Sequence, residues 1–82
     1  EKLSWFNFGI KLLNSSKLAP SFLVGSDQAA VEMFLEHKIS YTEMLDVMKR
    51  AYSKFDFPKE YNLETIKETV NESYFRTLKE IE

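Results

Sequence analysis

Ile39-Ser40-Tyr41-Thr42-Glu43-Met44 is the stretch whose reading settles how this chain folds. The Ser40 hydroxyl stands three residues before the Glu43 carboxylate. That is the spacing of a capping box, in which each side chain satisfies the other residue's backbone N–H at a helix start. Ile39 precedes the cap and Met44 follows it, the placement a hydrophobic staple requires. The helix so begun carries Met44, Met48 and Tyr52 along one line, with Leu45, Val47 and Ala51 alongside. Phe55-Asp56-Phe57-Pro58 ends it, because the proline ring disfavours helical backbone at Phe57.

Toward the C-terminus, Asn62 is placed to cap a last helix. Leu63, Ile66, Val70, Tyr74, Leu78 and Ile81 recur at helical spacing, which predicts an apolar stripe turned to the core. Glu64, Lys67, Glu68 and Glu72 fall off that stripe and are expected in solvent. Toward the N-terminus, Ser26 reads as an N-cap with Asp27 favourably placed on the helix dipole, giving a helix over residues 26–37. On it Ala30, Phe34 and the stem of Lys38 share one face, and Val31 and Leu35 the next. Residues 17–25 then form a connector in which Pro20 marks a break or a first helical turn. A start at Pro20, giving one longer helix, is the alternative. A first helix is predicted over residues 4–15, with Phe6, Ile10 and Leu13 in rhythm and Trp5, Phe8 and Leu12 flanking them. Gly9 weakens it by about 1 kcal/mol of propensity, so a short strand over residues 5–8 competes. Asn14-Ser15-Ser16 is the stop. The expected architecture is all-α: a four-helix, bundle-like single domain over residues 1–82.

Composition agrees with that class. Apolar residues make up 44% of the 82, with seven Phe, four Tyr and one Trp, enough for a thin core. Two Gly and two Pro are too few for a turn-rich β architecture. The net charge of −2 offers no basic face, which argues against a nucleic-acid partner or an anionic membrane. No apolar run reaches the length of a membrane span or a signal-peptide core. The absence of cysteine excludes a disulfide framework, a thiolate metal site and a cysteine nucleophile. Residue 1 is Glu rather than Met, which fits a chain that is processed or belongs to a longer polypeptide.

The residues point to no catalytic, cofactor-binding or metal-binding set. His37 is the sole histidine and reads as a solvated group near a helix end; Glu32 and Glu36 do not join it on one face. Glu43 with Asp46, and Glu64 with Glu68, lack the shielding that raises a carboxyl pKa for acid catalysis. Gly25-Ser26-Asp27 before a helix is a weak anion site, already answered by the Asp27 carboxylate. No Gly-x-Ser-x-Gly elbow is present. Asn14-Ser15-Ser16 and Asn71-Glu72-Ser73 match the N-glycosylation pattern without a secretory signal. Met33, Met44 and Met48 read as core, with a partner-helix groove as the alternative. Trp5, Phe55 and Phe57 lie at helix ends, outside the cleanest stripes. They are expected to contribute to an exposed docking patch near the first helix or residues 17–25.

Ala30-Val31-Glu32-Met33-Phe34-Leu35-Glu36-His37-Lys38-Ile39-Ser40-Tyr41-Thr42-Glu43-Met44 resembles the C-terminal helical domain of 1-deoxy-D-xylulose 5-phosphate reductoisomerases, the plastid-type branch most of all. That family reads Ala-Val-x-x-Phe-(Leu/Ile) and then Lys-Ile-Ser-(Tyr/Phe). Tyr61-Asn62-Leu63-Glu64-Thr65-Ile66 is similar to the start of its final helix, and residues 6–23 are similar to its first helix and connector. The chain departs from it at Leu23-Val24-Gly25-Ser26-Asp27-Gln28, where the family has Leu-(Asn/Ser)-Ala-Ala-Asn-Glu. The resemblance implies a structural domain of an NADPH-dependent enzyme of non-mevalonate isoprenoid synthesis, with Mg²⁺ or Mn²⁺ as its metal. It implies that both cofactors bind in other domains, so this chain holds no cofactor and contributes no catalytic residue. The implied partners are the remaining domains of a homodimeric parent, and the implied location is a plastid or plastid-like organelle, otherwise the cytoplasm. A stand-alone helical interaction module is the competing expectation.

Overall fold

Local signals of two strengths compete along this chain: caps, which act within four residues, and apolar stripes, which act only through what they pack on. The computed structural model describes the backbone of residues 2–13 and 16–81, and the side chains of residues 6–11 and 16–81. Among these residues there are four α-helices and no strand: α1 (Lys2–Leu13), α2 (Ala19–Leu35), α3 (Tyr41–Ser53) and α4 (Leu63–Lys79). The proposed stop at Asn14-Ser15 lies outside the described residues.

The caps of α3 and α4 are where the sequence placed them. The Glu43 N–H donates to Ser40 Oγ at 3.3 Å, and the Ser40 N–H donates to Glu43 Oε1 at 2.7 Å. Ile39 and Met44, the two ends of the staple, are both buried. At α4 the Thr65 N–H donates to Asn62 Oδ1 at 2.9 Å, and the Asn62 N–H donates to Thr65 Oγ1 at 3.0 Å. This second capping box uses threonine in place of the usual glutamate, so its reciprocal half was not read from the sequence.

The start of α2 corrects the first reading and bears out its alternative. The helix begins at Ala19 with Pro20 in its first turn, where a fixed φ and a missing N–H do no harm. Residues 19–25 are helix, not connector. Ser26 is no cap: it is fully buried inside α2, and its hydroxyl meets that of Thr77 on α4 at 2.7 Å. Asp27, exposed within α2, therefore does not sit at a helix start. The helix closes at Leu35, two residues before the expected His37. The His37 N–H donates to the Phe34 carbonyl at 3.0 Å and the Lys38 N–H to the Met33 carbonyl at 2.9 Å. With His37 at φ 62°, this is a Schellman close built on a residue other than glycine.

The stripe on α4 is the larger correction. Its buried residues are not Leu63, Ile66, Val70, Tyr74, Leu78 and Ile81 but Thr65, Thr69, Ser73 and Thr77, spaced four apart; of the expected stripe, Leu78 packs half-buried against the apolar core. Leu63 is 67% exposed; Ile66, Val70, Tyr74 and Leu78 are half-buried along the flank. The reason lies in α2, which forms the most extensive helix pair with α4. α2 presents Ala19, Gly25, Ser26, Ala29 and Ala30, and small side chains on both helices let the backbones approach closely. A Cβ on Gly25 would collide with the Val70 carbonyl oxygen and the Ser73 hydroxyl. Two of the buried hydroxyls find carbonyl acceptors on their own helix, Thr77 to Ser73 at 2.7 Å and Ser73 to Val70 at 3.0 Å.

Larger side chains fill the space between α2, α3 and the loop after α3. Phe22 is fully buried, with Tyr52, Phe55 and Phe57 around it at ring-centroid distances of 5.5, 5.1 and 6.1 Å. Met33, Met44, Met48, Leu45, Val47 and Ala51 complete this core. α1 is helical throughout, so the competing strand does not form. Among its described side chains Phe8 faces the core, edge-on to Tyr52 at 5.9 Å, whereas Phe6 is 63% and Ile10 43% exposed. The two described members of the predicted rhythm, Phe6 and Ile10, are therefore turned to solvent.

Candidate functional surface

His37 is exposed and serves the helix close. Among the described residues no group of three or more His, Asp or Glu lies close enough to hold a metal ion. Glu43 is engaged in its capping box; the Ser40 backbone N–H, with the Ser40 hydroxyl second, holds its carboxyl below the ordinary value of 4.5. Asp46, Glu64 and Glu68 are exposed. Gly25-Ser26-Asp27 offers nothing to an anion, since its N–H groups lie inside a continuous helix and Gly25 is pressed against α4. The acidic groups named here, exposed or engaged in a cap, do not form a shell that fits a divalent metal among the described residues.

The groove alternative fails on packing. Met33, Met44 and Met48 are 1%, 6% and 0% exposed, so they cannot line an open binding groove. Phe55 and Phe57, expected at a docking patch, are half-buried against the core; the Trp5 side chain lies outside the described residues. Exposed apolar groups do occur where that patch was expected, with Phe6 and Ile10 on α1 and Val24 in residues 17–25. Others stand elsewhere, including Leu35, Tyr41, Leu63 and Phe75. Of the glycosylation triplets, Asn71 is exposed on α4 but Ser73 is wholly buried, and Asn14 lies outside the described residues.

The described residues include three surface hollows. One of about 400 Å³ lies between α1 and α3, with Phe8 and Tyr52 below and Lys11 and Lys49 at its edges. A second, about 500 Å³ and wide open, runs over the α2–α3 corner past Phe34, Leu35 and Tyr41. The third, about 370 Å³, lies between the loop after α3 and α4, bounded by Phe55, Pro58, Glu68, Thr69 and Glu72. The sequence carried one trace of it, the acidic pair at Glu68 and Glu72, which reads as ordinary solvated charge.

Polar links on the surface tie helices together. Glu80 holds both Arg50 and Lys54, at 3.3 and 3.2 Å, fixing the end of α3 to the end of α4. The Tyr74 hydroxyl on α4 donates to the Glu32 carboxylate on α2. That bond raises the phenol above its ordinary value of 10.0.

These features define a class: a small all-helical domain, firmly capped and close-packed, without a built catalytic centre among the described residues. Residues 1–75 match the DXP reductoisomerase C-terminal domain. The chain belongs to that family. It is 36% identical over 62 residues to the 1-deoxy-D-xylulose 5-phosphate reductoisomerase of Clostridium beijerinckii (strain ATCC 51743 / NCIMB 8052), covering 73% of this chain. It is 34% identical over 50 residues, 61% of this chain, to the protein of that name from Clostridium perfringens (strain 13 / Type A). The aligned parts are 16% and 13% of those relatives' lengths. No solved structure matches the chain.

Proposed function

We propose that residues 1–82 are a single helical domain serving as the structural C-terminal part of a 1-deoxy-D-xylulose 5-phosphate reductoisomerase. The observation that carries this reading is the family match over residues 1–75 of 82. The whole enzyme is of the kind that converts 1-deoxy-D-xylulose 5-phosphate to 2-C-methyl-D-erythritol 4-phosphate in isoprenoid synthesis. NADPH and a divalent metal such as Mg²⁺ or Mn²⁺ supply the reduction and the carbonyl polarisation there; both bind outside this chain. The domain's part is to pack on the rest of the subunit and hold the architecture around the active site. Pairing of the parent into a homodimer belongs to the same reading. No helix among the described residues is long and apolar enough to cross a membrane. The relatives are clostridial, so they lend the plastid-type branch and a plastid location no support.

The test is a graft. Residues 1–82 replace the matching C-terminal segment of the Clostridium beijerinckii enzyme, and NADPH oxidation with 1-deoxy-D-xylulose 5-phosphate is followed. The chimera is expected to retain turnover that the truncated enzyme lacks. A chimera that is folded by circular dichroism yet inactive overturns the reading.

A further inference from the structure

We draw no further inference here: the strongest candidate, the apolar surface patch at the corner where α2 meets α3, with Leu35 and Tyr41 exposed beside Phe34, carries nothing, because nothing in the structure shows what covers it.

Discussion

At the residue scale, two positions carry more than their side chains suggest. Ser40 caps α3, and its loss leaves an unpaired N–H at the helix start. Ser40→Ala is expected to cost about 0.5–2 kcal/mol, read as a lowered urea midpoint. Its partner Glu43 adds a pH dependence whose sign follows from the direction of its shift. A carboxyl whose folded value lies below its ordinary 4.5 favours folding above that value and loses the contribution as the pH falls through the lower one. The stability gap between wild type and Glu43→Gln should therefore be present at neutral pH and close on acidification below 4.5. Urea midpoints at several pH values measure it, and a gap that stays constant would disprove the bond. His37 at φ 62° pays the penalty of a left-handed backbone. Glycine avoids that penalty, so His37→Gly should raise stability by about 0.5–1 kcal/mol in thermal unfolding.

At the scale of elements, the α2–α4 seam is the decisive contact. Gly25 exists there because nothing larger fits between the two backbones. In most helices replacing glycine by alanine stabilises by propensity, so the sign is diagnostic. Gly25→Ala should destabilise by about 1–3 kcal/mol, since the α4 backbone has to move. A neutral or stabilising result would mean that the helices lie farther apart. On α1 the comparison is between neighbours. Phe8→Ala should cost about 3–5 kcal/mol if the helix is docked as described. Phe6→Ser, at a 63% exposed position, should stay within about 0.5 kcal/mol. Unfolding curves in which Phe6 matters more than Phe8 would restore the face drawn from the sequence rhythm.

At the scale of the whole molecule, stability converges on Phe22. Domains hold about 0.05–0.15 kcal/mol per residue, so 82 residues amount to about 4–12 kcal/mol. Removing the ring takes away the contacts with Tyr52, Phe55 and Phe57 together. Phe22→Ala should cost about 3–5 kcal/mol and leave the chain close to unfolding, visible as lost cooperativity in calorimetry. The exposed apolar residues on α1, at the α2–α3 corner and on α4 contribute little to this balance. Their place in the proposed function is against the remainder of the enzyme.

How much of this was legible in the residues depends on the range of the signal. The helical class, both N-caps, the staple and the proline stop were readable, because each involves groups within four residues. The family, too, was readable in residues 30–44. The face of α3 was readable too, with Met44, Leu45, Val47, Met48 and Ala51 all buried. What failed were the statements about the faces of α1 and α4. Ser26 resembled a cap, and the apolar positions of α4 resembled a core stripe, until the packing partner was known. A hydroxyl stripe at Thr65, Thr69, Ser73 and Thr77 carries no hydrophobic periodicity, so no amphipathic pattern announces it. It becomes the buried face only because α2 brings Gly25, Ser26 and Ala29 against it, and close approach of backbones then outweighs the burial of larger side chains. The same holds for the hollow at Glu68, Thr69 and Glu72, whose wall comes from Phe55 and Pro58 in a different part of the chain. The sequence by itself determined where the helices start and which class and family they form. Tertiary structure decided which side of α1 and α4 faces inward, since that depends on the shape of a neighbour distant along the chain.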